Sequence, residues 1–257
     1  MLKGKIVLIS GASSGIGAIT AKRLAERGAV PVLTGRNAEK LRAAAEAIAG
    51  PCGYYPMDVT RMEDVSRTVE AAIDSYGRID ILLNNAGFGL FEPFADASIE
   101  SFVTMMDTNY MGTVRLTKAV LPYMLKQGGG HIVNVASMAG KLATPKSTAY
   151  SASKHAVLGF TNALRMELKD SGITVTSVNP GPIRTPFFDQ ADPNGTYVKN
   201  VNWLMMEPEY VAGAIVRAME RRAEEVNLPR VAAAGMRLYQ LLPRTADRLL
   251  RGMFNRK

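Results

Sequence analysis

The chain has 257 residues, 47% hydrophobic and 21% charged, which suits a globular protein with a large core and lies within the reach of one α/β domain. Cys52 is the only cysteine, which excludes an intramolecular disulfide and fits a reducing cytosol. A net charge of +8 comes without zinc-ligand spacing or an aromatic-interleaved basic patch, which argues against nucleic acid, and no apolar run approaches the ~20 residues of a membrane span.

Residues 5–10 are apolar and β-branched and read as a first strand, so early that no secretory leader is expected. Gly11, Gly15 and Gly17 follow in a GxxxGxG run, and residues 18–27 then show helical periodicity up to Gly28. Glycines between a strand and a helix let backbone N–H groups approach a pyrophosphate at the helix's positive end, so this turn predicts a dinucleotide site. A second strand over 30–34 ends in Gly35-Arg36-Asn37. An acidic side chain at this place would bind a ribose 2′-hydroxyl; a guanidinium suits a 2′-phosphate, which favours NADP(H) over NAD(H).

An Ala-rich helix over 38–49, a short strand over 54–57 ending in Asp58-Val59, and a helix over 61–76 come next. Residues 79–83 have a buried-strand pattern and end in Asn84-Asn85-Ala86-Gly87; a long helix over 99–126 carries Asn109. The strand over 131–136 puts Ser137 at its carboxyl end, where open α/β sheets bind ligands. In the helix over 147–169, Tyr150 and Lys154 share one face, and an ammonium beside a phenol lowers its pKa, giving a proton donor and acceptor near neutrality. A strand over 173–178 ends in Asn179-Pro180-Gly181-Pro182; an irregular, lid-like stretch over 182–206, a helix over 208–222 and a strand near 225–231 follow. Alternating strands and helices predict a doubly wound parallel sheet. His131 and His155 lack partners at metal spacing and read as bystanders, and no metal site is expected.

The pattern resembles the short-chain dehydrogenase/reductase family in its compact single-domain form. The residues that carry the resemblance are Ser10 through Gly17, Asn84 through Gly87, Asn109, Ser137, Tyr150 through Lys154, and Asn179-Pro180-Gly181. Ser10 stands where the family often has Thr, and Ser14 where many NADP-using members carry a basic residue, which leaves Arg36 to carry the cofactor assignment. The resemblance implies one Rossmann-type domain over 1–257 with seven strands in the order 3-2-1-4-5-6-7, and a homodimer or homotetramer. It also implies a catalytic group of Asn109, Ser137, Tyr150 and Lys154. Tyr150 would be the general acid or base and Ser137 a hydrogen-bond donor to the reacting oxygen. Lys154 would hold the nicotinamide ribose, and Asn109 would position a water that relays protons. Ser13, Ser14 and Ile16 would touch the phosphates, and Asp58 and Val59 would face the adenine. Asn84, Ala86 and Gly87 would meet the adenosine ribose side, and Pro180, Gly181, Ile183 and Thr185 the carboxamide end.

Phe187, Phe188, Trp203, Leu204, Met205 and Met206 in the lid region of 186–222 suggest a hydrophobic carbonyl or alcohol substrate, of lipid, steroid or retinoid type. Packing of the lid onto the body is an equal alternative for them. A 3-oxoacyl-thioester reductase is a further reading, and a non-catalytic NADP-binding sensor or scaffold a reading of another class. Residues 236–257 hold six basic residues against Asp247 alone, mixed with Leu, Met and Phe. Such a tail could lie on a membrane surface, cap the pocket or meet another subunit. The expected location is cytoplasmic, with peripheral membrane contact open.

Overall fold

The computed structural model describes residues 2–193 and 195–229. The basic tail of 236–257 lies outside the described residues.

Seven strands form one sheet: β1 (Ile6–Ser10), β2 (Val30–Gly35), β3 (Gly53–Pro56), β4 (Ile81–Asn84), β5 (Gly130–Val135), β6 (Ile173–Pro180) and β7 (Glu225–Leu228). All pairings are parallel, and the order is β3-β2-β1-β4-β5-β6-β7, as the resemblance implies. Both faces are covered, so the central strands read as continuous apolar runs whose side chains alternate between two cores. Val7, Ile9, Leu33, Leu83 and Val133 enter one core with Leu24 of α1 (Gly15–Ala25), Leu41 of α2 (Ala38–Glu46) and Ile215 of α9 (Pro208–Arg221). Leu8, Val32, Leu82 and Ile132 enter the other with Val69 of α3 (Met62–Tyr76), Leu116 of α5 (Gly112–Lys126) and Leu164 of α6 (Thr148–Glu167). Each fully buried leucine of this kind contributes roughly 1.5–3 kcal/mol.

The order reverses between β1 and β4, and the loops after these strands part there into a crevice at the carboxyl edge. Across its floor, Gly11 holds φ +67°, and a Cβ added to it would stand 2.9 Å from Ala86 Cα; only a glycine allows this approach.

The expected helix of 99–126 is interrupted. α4 (Ile99–Met106) and α5 are joined by a π-helical turn over Asp107–Met111, with Asn109 inside it. At this turn the Asn109 amide leaves the helix face to bond the chain at Phe88 and the Ser153 hydroxyl, both distant in sequence. The lid comprises α7 (Phe187–Ala191) and α8 (Thr196–Val201), and Ile183 pairs with Met206 across its base. No helix among the described residues is long and apolar enough to cross a membrane.

Candidate active site

A cavity of about 830 Å³ opens along the carboxyl edge of the sheet. Its β1–β2 end is lined by Gly11, Ser13, Ser14, Gly15 and Ile16, by Gly35 and Arg36, and by Asp58 and Val59. Ala86 and Gly87 line its middle, together with Ser137, Tyr150 and Lys154. Pro180, Gly181, Ile183 and Thr185 line the side below the lid.

Three predicted residues do not line it. Asn84 is buried within the sheet, where its amide donates to Thr117 Oγ1 (3.0 Å) and to Asn134 Oδ1 (2.8 Å) on the neighbouring strand. Its role is to tie β4 to β5 and α5. Gly17 is a packing position, since a Cβ there would meet Gly11 O at 2.3 Å and Asn85 Nδ2 at 2.7 Å. Asn109 stands behind the wall: it accepts from Phe88 N (2.9 Å) and donates to Phe88 O (2.8 Å) and Ser153 Oγ (3.0 Å). A Cβ on Gly87 would lie 2.9 Å from Asn109 Oδ1 and 3.4 Å from Lys154 Nζ, so the two side chains converge beneath that glycine.

Ser137 ends β5 in extended backbone, and its Oγ accepts from Ala139 N (3.0 Å) and donates to Pro180 O (3.3 Å). Lys154 is 5% exposed and donates to Val135 O at 3.0 Å, with Nζ 5.8 Å from the Tyr150 ring centre. The expected depression of the Tyr150 pKa is reversed. Burial pushes the phenol up to about 12; a hydrogen bond with Ser137 lowers it and the neighbouring Tyr197 raises it further. Burial likewise brings Lys154 down to about 8. Desolvation of both groups outweighs the attraction between them, because the ammonium is directed at a carbonyl.

The sequence reading missed several lining residues. Asn37 accepts from Lys40 N at 2.8 Å and starts α2, so Lys40 stands one turn from Arg36 at the same end of the cavity. Phe91 and Tyr197 stack at 4.3 Å beside Phe187 and Phe188. Of the expected lid residues Phe187, Phe188 and Leu204 line the cavity, whereas Trp203 is 78% exposed and Met206 packs into the core.

The residues fit a nicotinamide dinucleotide. α1 starts at Gly15 with no side-chain cap from Ser14, which leaves the first-turn N–H groups for an anion. The Gly11–Ala86 approach lets backbone close under such a ligand, and Arg36 and Lys40 supply cations for a phosphate.

A family model described as short chain dehydrogenase matches residues 5–195. An uncharacterised oxidoreductase of Staphylococcus epidermidis is 38% identical over 218 residues, 85% of this chain and 92% of its own length. Levodione reductase superimposes with a TM-score of 0.82 at 28% identity, covering 89% of this chain and 97% of its own. A variant of actinorhodin polyketide ketoreductase with NADPH superimposes with a TM-score of 0.80 at 31% identity, covering 88% and 95%.

Proposed function

The chain belongs to the short-chain dehydrogenase family of oxidoreductases, and from that premise we propose an NADP(H)-dependent interconversion of a hydrophobic ketone or aldehyde with its alcohol, Tyr150 acting as general acid and base. The observation that carries this reading is the meeting of Ser137, Tyr150 and Lys154 on one cavity wall, with Arg36 and Lys40 at the far end.

Bound NADPH would supply the hydride. Tyr150, kept protonated far above neutrality by burial, gives its proton to the carbonyl oxygen as negative charge develops there. Ser137 is already hydrogen-bonded to that phenol; turned from Pro180 O, its hydroxyl donates to the same oxygen and stabilises the charge. Lys154 holds its ammonium below about pH 8, stabilises the phenolate left behind, and offers its remaining N–H groups to ribose hydroxyls. The Asn109 carbonyl accepts from Thr113 Oγ1 (2.9 Å) and keeps a second lone pair for a water on the path to Lys154. Lining the cavity, Ser13, Ser14 and Ile16 would hold the pyrophosphate, Asp58 and Val59 the adenine, and Ile183 and Thr185 the carboxamide.

The test is NADPH consumption with hydrophobic ketones, with NADH in a parallel series. Tyr150→Phe is expected to lower kcat by about 10²–10⁴-fold while NADPH still binds. A variant as active as the parent would overturn the assignment, and tight NADPH binding with no turnover of any carbonyl would favour the sensor reading.

A further inference from the structure

Beyond Tyr150 the cavity has a wall of rings. Phe91 stacks on Tyr197 at 4.3 Å with 3° between the planes, and on Phe188 at 6.1 Å with 19°. Phe187 stands edge-on to Phe188 at 5.3 Å and reaches the Tyr150 ring at 5.8 Å; Phe91 reaches that ring at 5.5 Å. Two segments distant in sequence build the wall and are pinned together, since Phe91 N donates to Ala191 O at 2.9 Å. A Cβ on Gly89 would meet Phe187 Cζ at 2.9 Å and Tyr150 Cδ2 at 3.0 Å, so the wall presses directly on the phenol.

The rest of this half is uncharged. Among the described residues the charged side chains lining the cavity are Arg36, Lys40, Asp58 and Lys154; the first three belong to the β1–β2 end, and the fourth lies behind Tyr150. Among the described residues its polar points are the Tyr197 phenol, hydrogen-bonded to Thr144, and Gln190 of α7.

We propose that the substrate is an uncharged ketone built on flat fused rings, with its carbonyl at Tyr150 and a second hydrogen-bonding oxygen at the Thr144–Tyr197 pair. This rests on the reductase reading of the same site and narrows it. A rigid ring meets aromatic faces without losing rotamer freedom, whereas a flexible chain of equal carbon number must be ordered to fill the same space. Among the described residues lining this half no cation stands beside the rings, so a carboxylate on the substrate ring would be desolvated unpaired.

The experiment compares three ten-carbon ketones on the full chain, β-tetralone, trans-decalone and methyl octyl ketone, together with the hydroxy and carboxy derivatives of β-tetralone. Binding is read by calorimetry on protein saturated with NADP+, and turnover by kcat/KM with NADPH. β-Tetralone is expected to exceed decalone and the chain ketone by about three- to tenfold in both readouts. Phe91→Leu should remove that preference. The hydroxy derivative should gain about three- to tenfold, a gain lost in Thr144→Val, and the carboxy derivative should lose at least about tenfold. Equal or better binding and turnover of decalone or the chain ketone overturns the proposal and leaves the reductase reading intact. Preferred binding of β-tetralone without NADPH consumption supports the ring pocket and overturns the reductase reading. Binding of none of these ketones overturns both.

Discussion

Lys40 occupies the first turn of α2, where the helix dipole disfavours a cation, and it lines the cavity beside Arg36. An anion between the two relieves that conflict, which is the electrostatic reason to expect a phosphate at this end. Arg36 was legible in the sequence because it directly follows the glycine that ends a strand. Lys40 was not, since its place depends on where α2 starts, and that is fixed by the Asn37 side chain accepting Lys40 N. Arg36→Ala should weaken NADPH binding by about 10–100-fold, the scale of charge-assisted hydrogen bonds, with NADH binding held within about threefold. Lys40→Ala should cost less, about two- to fivefold, as for an exposed ion pair. Fluorescence titration with both nucleotides reads these changes; an equal loss for NADH would remove the phosphate argument. The Tyr150–Lys154 pair was equally legible as spacing, but the direction of the Tyr150 shift was not. Burial by Phe91, Phe187 and the lid comes from residues far along the chain, and it overrides the local pair.

Among the elements, the strands were the most legible and the lid the least. A parallel strand covered on both faces is a short apolar run whatever its neighbours are; β1 and β4 match that pattern, and β5 keeps it at Ile132, Val133 and Val135. The π turn at Asn109 arises from a bond across 21 residues to Phe88, which no helical periodicity contains. The aromatic wall joins Phe91 to Tyr197 in the same way, and Trp203, the most conspicuous residue in the lid sequence, faces outward. Two glycines show how far position decides the effect of one methyl group. Gly17, in the first turn of α1, has no room, because its Cβ would stand 2.3 Å from Gly11 O. Gly159, within α6, has nothing within 4 Å of that point. Gly17→Ala should therefore destabilise the fold by about 1–3 kcal/mol and weaken nucleotide binding through the shifted Gly11 turn. Gly159→Ala should stabilise it by about 0.5–1 kcal/mol and leave binding unchanged. Urea unfolding with and without NADPH separates the two, and a neutral Gly17→Ala would mean that α1 moves freely against the turn.

At the scale of the whole molecule, the sheet separates chemistry at its carboxyl edge from a stability device at its amino edge. His131, near the start of β5, is 4% exposed, and its Nε2 lies 2.7 Å from Thr176 Oγ1. That hydroxyl donates to Ala223 O, so it accepts from the imidazole, which places the neutral ring's proton on Nε2. A second proton would charge a ring shut away from water, and burial, then the nearby Arg222 guanidinium, hold the pKa down at about 4, against 6.5 for the free side chain. Between these two values the unfolded chain binds the extra proton and the folded chain does not, so stability rises with pH across that window. The contribution is fully present above pH 6.5 and lost as pH falls toward 4, by up to about 3 kcal/mol. His131→Gln keeps an N–H donor for Thr176 and titrates nothing. Urea midpoints for the two proteins should converge as the pH falls through the window, with the parent losing stability more steeply. Parallel slopes would assign the acid sensitivity to other groups. NADPH affinity at neutral pH should be the same in both proteins, because the substitution lies at the opposite edge of the sheet from the cavity.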